Sequence, residues 1–276
     1  MAQNFAHGNY SHSQRKVKNT GGGAPRRPDD RLRRTLSQNF LVDGHAVELL
    51  VKTADPVGLV LEPGAGQGAV TLALAEAGAR VVGYELDPRL ASMLAARTRR
   101  HPRIKVVRDD FTAARAPREP FAVVGNIPYS ITSEIVDWCL RAPALTSATL
   151  LTQREYARKR TGDCGRWSLV TVESWPWFSW RLGGTVDRVS FRPVPSVDSA
   201  ILRIDRRPQP LVEEFAGWQE LVELGFGGVG GSLGASLATR YDGVGRALAA
   251  AGIASDALVG HVHPDQWITL WERLHR

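Results

Sequence analysis

Asn126, Ile127, Pro128 and Tyr129 put an amide side chain, a rigid turn and an aromatic ring side by side in the chain. They follow an apolar run over 121–124 that reads as a strand. An amide oxygen and a backbone carbonyl accept hydrogen bonds from an exocyclic amine, and a phenol ring covers the face of a flat heterocycle. The combination suits adenine. A strand ending in an ordinary proline turn has the same outline, so the reading depends on what else the chain supplies.

A second group of residues supplies a place for a nucleoside-bearing cofactor. The strand at 59–61 runs into Glu62-Pro63-Gly64-Ala65-Gly66-Gln67-Gly68, a glycine turn that opens a helix. Without Cβ atoms at Gly64 and Gly66, the backbone can approach a ligand closely at the carboxyl end of a sheet. A dinucleotide fold would carry G-x-G-x-x-G and set a pyrophosphate on the helix N-terminus. Here the spacing is G-x-G-x-G, and the Glu62 carboxylate would repel a pyrophosphate while suiting a cationic amino-acid group. The pattern favours S-adenosylmethionine, which carries an ammonium and a sulfonium and no phosphate. Glu85 closes the next strand, where a carboxylate can accept from ribose hydroxyls. Asp110 follows the third strand and can accept from an adenine amine, with Phe111 beside it to flank the ring. Helix capping is the alternative use of these acids.

The elements that must position these groups alternate. Helical apolar spacing covers 46–54 with Asp43 as N-cap, then 69–77 and about 89–99. Strand-like runs cover 59–61, 80–84, 104–107, 121–124 and 149–151. This alternation predicts an α/β fold with a Rossmann-like, doubly wound sheet. After Arg206 the apolar spacing turns helical, through Phe215, Trp218, Leu221 and Val222 and later Trp267, Leu270, Trp271 and Leu274. The boundaries expected are a disordered basic tail over 1–34, the α/β domain over 35–207 and a small C-terminal helical domain over 208–276. Glycines between 225 and 231 are too frequent for a stable helix interior. The Trp175-Pro176-Trp177-Phe178-Ser179-Trp180 stretch reads as core against the sheet rather than as a stacking platform.

At 276 residues with 43% hydrophobic content, the chain can bury a full core without a staple. Cys139 and Cys164 fit neither a disulfide framework nor a zinc set, which points to a reducing, cytoplasmic setting. Apolar runs fall short of a membrane span, no secretory h-region is visible, and no metal is expected. His261 and His263, with no further Cys or His nearby, suit a surface or packing role rather than a metal. The net charge of +7 fits a polyanionic partner, although an Arg-rich composition produces the same number. Arg154, Arg158, Lys159, Arg160 and Arg166 cluster after the 149–151 strand and suit RNA phosphates, or a solvated face.

Taken together, Thr35-Leu36-Ser37-Gln38-Asn39-Phe40-Leu41, the Glu62-to-Gly68 turn, Gly83-Tyr84-Glu85, Asp110-Phe111, the Asn126-to-Tyr129 motif and Phe191-Arg192-Pro193-Val194-Pro195-Ser196-Val197-Asp198-Ser199 occur in order at family-like spacing. The chain resembles the ribosomal RNA adenine N6-methyltransferases, specifically the Erm macrolide-resistance group. The resemblance implies a methyltransferase sheet, S-adenosylmethionine as methyl donor, and 23S rRNA, free or in immature 50S particles, as substrate of a monomer. It further implies that Asn39 and Leu41 touch the cofactor and that Gly64 passes its methionine part. Glu85 would then hold the ribose and Asp110 the adenine amine. Asn126 would sit between cofactor and target base, with Tyr129 stacked on that base and Phe191 covering its other face. The sister group that dimethylates small-subunit RNA shares most of these motifs, and some relatives bind RNA without catalysis. A nicotinamide dehydrogenase is the third class, opposed by the glycine spacing after Glu62.

Overall fold

The computed structural model describes residues 39–228 and 231–275. The basic tail and the Thr35-to-Gln38 part of the first motif lie outside them. Helix α1 (Gly44–Ala54) starts where Asp43 caps it, its carboxylate accepting from the His45 and Ala46 backbone N–H groups. Five strands and three helices follow. They are β2 (Leu59–Pro63), α2 (Ala69–Glu76), β3 (Arg80–Tyr84), α3 (Pro88–Thr98), β4 (Ile104–Val107), β5 (Phe121–Asn126), α4 (Thr132–Arg141) and β6 (Leu145–Gln153). They alternate as the periodicity predicts except between β4 and β5, which only a short 3-10 turn separates. Asp87 caps α3, with Pro88 fixing its first turn.

The sheet order is β4-β3-β2-β5-β6-β9-β7, with β7 at Phe178–Val186 and β9 at Ser199–Arg206. The five strands from β4 to β6 run parallel, while β9 is antiparallel to both neighbours. That antiparallel pair is absent from the sequence expectation, which followed the alternating units only as far as 149–151. Strand order reverses between β2 and β5, which opens a crevice at their carboxyl ends. A two-residue strand β1 (Phe40–Leu41) pairs with β8 (Phe191–Arg192) in a separate ladder. Helices α5 (Arg154–Arg160) and α6 (Leu169–Ser174) fill the connection from β6 to β7.

Side chains alternate across the sheet, as the pleat requires. Val60, Val124 and Leu151 enter one core with Leu50 and Leu74, and Leu61, Val123 and Leu150 enter the other. The second core continues into the C-terminal helices α7 (Phe215–Phe226), α8 (Leu233–Leu237), α9 (Val244–Ala250) and α10 (Pro264–Leu274) through Trp218, Leu221, Trp267 and Leu270. Trp175, Trp177 and Trp180 are buried there as expected. Gly225 departs from the expectation of a broken helix, because it lies inside α7. A Cβ at that position would collide with the Trp267 ring and stand 2.8 Å from Leu233 Cδ1, so close helix packing needs the glycine.

Candidate active site

A pocket lined by Asn39, Phe40, Gly64, Asn126, Ile127, Pro128 and Tyr129 opens at the reversal point of the sheet. β2 delivers Gly64 and β5 delivers Asn126 from adjacent strands, and β1, paired with β8, brings Phe40. The glycine turn bends through left-handed conformations, with φ of 68° at Gly64, 53° at Gly66 and 85° at Gly68, which β-carbons disfavour. A Cβ at Gly66 would stand 3.1 Å from the Phe40 ring, so the turn and β1 pack directly.

The Asn126 and Tyr129 side chains are each tied to a distant segment. Asn126 Nδ2 donates to the Asn39 carbonyl at 2.7 Å, which leaves its side-chain oxygen as an acceptor. The Tyr129 hydroxyl and Ser199 Oγ are 2.6 Å apart. Burial raises the Tyr129 phenol above its ordinary range; the Ser199 bond opposes that shift and nearby Asp198 adds to it. The ring therefore stays neutral.

The acids are each bonded within the protein. Glu85 is buried, with Oε2 accepting from Gly66 N and Oε1 from Asp87 N, both at 2.8 Å. Glu62 is buried beneath the turn, bonded to Thr71 Oγ1. Burial pushes its carboxyl up to about 8, against the Thr71 hydrogen bond and with help from the Glu85 charge. Asp110 Oδ1 caps a short 3-10 turn through Thr112 N and Oγ1, so the capping alternative applies to it.

The profile of the ribosomal RNA adenine dimethylase family matches residues 29–276. The chain belongs to this family. An rRNA adenine N-6-methyltransferase of Aeromicrobium erythreum is 51% identical over 91% of this chain and 78% of its own length. The mycinamicin-resistance protein MyrB of Micromonospora griseorubida is 39% identical over 76% of this chain and 68% of its own. The crystal structure of the 23S rRNA methyltransferase ErmE, 50% identical, superposes with a TM-score of 0.83 over 86% of this chain and all of that one.

Several expected site residues have side chains that lie away from the pocket lining or are engaged elsewhere in the protein, each for a local reason. Leu41 is 5% exposed and enters the core, because β1 alternates and it is Phe40 that faces the glycine turn. Phe191 sits directly opposite Leu41 in the antiparallel ladder, so it shares the core face and is fully buried, away from the pocket lining. Phe111 is 4% exposed, its ring centroid 4.5 Å from that of Trp138 and 5.4 Å from that of Tyr84. Glu62 is covered rather than facing the pocket. Of the basic cluster, Arg154 pairs with Asp198 at 3.2 Å and Arg158 with Asp163 at 2.6 Å, while Lys159 and Arg166 are exposed. Arg160 turns inward: its guanidinium lies 4.8 Å from the Tyr156 ring and donates to Ser168 Oγ, as i,i+4 helix spacing favours. His263 keeps to the surface or packing role expected, accepting from Asp265 N as the cap of α10 and lying against Trp167.

Sequence reasoning missed three residues. Phe40 was legible from alternation in β1. Thr71 and Ser199 had no local signal, because only the folded sheet brings them to their partners.

Proposed function

We propose that this chain methylates N6 of one adenine in 23S rRNA, using S-adenosylmethionine, and so protects the ribosome from macrolide-type antibiotics. The observation that carries the reading is the Asn126-to-Tyr129 corner beside the glycine turn, with Asn126 anchored through its nitrogen. The RNA and the resistance come from the relatives: ErmE is a 23S rRNA methyltransferase and MyrB a mycinamicin-resistance protein. Free 23S rRNA or immature 50S particles are the substrate states in this reading, and the protein acts as a monomer. It also divides the chain into an α/β catalytic part to residue 207 and a helical part beyond.

The residues present fit the methyl donor. The turn lacks β-carbons at Gly64, Gly66 and Gly68, and a Cβ on Gly64 would come within 3.5 Å of Pro128 Cδ, narrowing the crevice. In this reading Asn39, Phe40 and Gly64 border the donor, and Glu85, Asp110 and Phe111 shape the nucleoside end. When bound, S-adenosylmethionine supplies an electrophilic methyl group.

The protein's own task is to make a poor nucleophile better. The adenine N6 lone pair is delocalised into the ring. Hydrogen bonds from N6–H to Asn126 Oδ1 and the Ile127 carbonyl localise it and orient it for in-line attack. Pro128 fixes the turn between these acceptors and the Tyr129 ring, which replaces the stacking lost when the base leaves the RNA. The N6 proton becomes acidic as positive charge develops, so no strong base is required. Lys159 and Arg166 hold RNA phosphates beside this corner, joined by Arg154 and Arg158 when their exposed ion pairs exchange for phosphate.

Labelled-methyl transfer to protein-free 23S rRNA and to immature 30S subunits tests the reading. Incorporation at a single adenine of the 23S peptidyl-transferase loop is expected. Labelling of 30S particles alone would place the chain with the small-subunit dimethylases. No transfer despite tight RNA binding would make it a non-catalytic binder.

A further inference from the structure

The last strand to join the sheet reaches into the pocket corner. β9 begins at Ser199, in register with Gln153 of β6 on one side and Val186 of β7 on the other. Because β9 runs antiparallel to β6, its first residue lies at the carboxyl edge of the parallel strands, where Tyr129 follows β5. Ser199 is fully buried, and its hydroxyl meets the Tyr129 hydroxyl at 2.6 Å. The two groups are far apart in sequence, so nothing local holds them together.

We infer that Ser199 is a positioning residue for methyl transfer, holding the far end of the Tyr129 ring through its hydroxyl so that the target base meets a ring already in place for stacking. This rests on the stacking role proposed for Tyr129. A ring attached only at its Cβ swings about the Cα–Cβ bond, and a base stacked on it would have to stop that swing on binding. An anchor at the far end of the ring removes this cost before the base arrives. The Asn126 side chain is held in the same way by the Asn39 carbonyl. Both ends of the motif are thus fixed by segments from outside it.

The test compares Ser199→Ala, Tyr129→Phe, the double variant and Tyr129→Ala in steady-state methylation of a 23S rRNA fragment. A second readout is the fluorescence of 2-aminopurine placed at the target position. Losing one buried hydrogen bond should lower kcat about tenfold in each of the first two variants. The KM for RNA and the affinity for S-adenosylmethionine should stay within about twofold, since the bond acts on the stacked base alone. The quenching of 2-aminopurine by a stacked ring should weaken in both. The double variant should be no slower than the slower single variant, because both changes remove the same bond. Wild-type kcat in either single variant, or losses that multiply in the double, would overturn the inference. Tyr129→Phe keeps the ring and fills the same space, so it decides the matter even where Ser199→Ala folds poorly. An active Tyr129→Ala would instead remove the stacking reading itself, whereas an inactive Tyr129→Ala beside a fully active Tyr129→Phe would reject only the role of Ser199.

Discussion

At the scale of single residues, the pocket is a set of polar groups with their bonds already made. Asn126 has one end committed to Asn39, so the other faces the site with a defined polarity. Asn126→Ala should reduce methyl transfer at least about a hundredfold, as loss of an oriented catalytic acceptor does, while the melting temperature holds. Single-turnover kinetics and thermal unfolding on the same preparation check both halves. Tyr129→Ala should lose a stacking contact of about 1–3 kcal/mol, read as roughly ten- to hundredfold in kcat/KM.

Glu62 makes a prediction about pH. Burial raises its folded pKa to about 8, well above the ordinary 4.5, so the folded protein holds this proton more tightly than the unfolded chain. The resulting stabilisation is complete below the ordinary value and is lost as pH rises toward about 8. Glu62→Gln, which cannot ionise, should flatten the fall in stability of the cofactor-free protein between pH 5 and 8. Urea unfolding across that range measures it; an unchanged slope would mean that Glu62 ionises freely in the fold.

Among the elements, α7 shows how packing overrides propensity. Replacing a helical glycine with alanine should stabilise by about 1 kcal/mol on propensity alone. At Gly225 the new methyl would overlap the Trp267 ring and crowd Leu233, an overpacking cost of about 1–3 kcal/mol. The larger effect wins, so Gly225→Ala should lower the urea midpoint. A rise would show that the helices can separate without penalty. The β1–β8 ladder carries the same lesson for the site. Its two-residue register decides that Phe40 borders the pocket and that Leu41 and Phe191 do not.

For the whole molecule, the core that joins the sheet to the C-terminal helices matters most. Trp218 is fully buried and donates to the Glu173 carbonyl at 2.8 Å, and Trp175 donates to Asp265 at 2.7 Å. A chain ended at residue 207 would uncover this apolar face and should aggregate on expression rather than fold as an active fragment. Charge acts at the same scale. Removing residues 1–30 takes away Arg15, Lys16, Lys18, Arg26 and Arg27 against Asp29 and Asp30. RNA affinity should fall and its dependence on salt should become shallower, with S-adenosylmethionine binding unchanged, as filter binding across a salt series would register.

The amino-acid sequence by itself determined the alternating elements, the glycine turn, the Asn126-to-Tyr129 corner and the family, because each is written within a short stretch of chain. Periodicity places β3 and β4 to the residue, and Asp43 marks the start of α1. Only the tertiary structure decided which aromatic rings face the pocket and which the core, since that depends on the register of β1 against β8. It also decided that Arg160 packs inward on its own helix and that Glu62 lies under the turn. The pairing of Ser199 with Tyr129 is likewise tertiary. It requires an antiparallel strand inserted at the far side of β6, and hydrophobic spacing says which residues are buried but not which strand lies beside which.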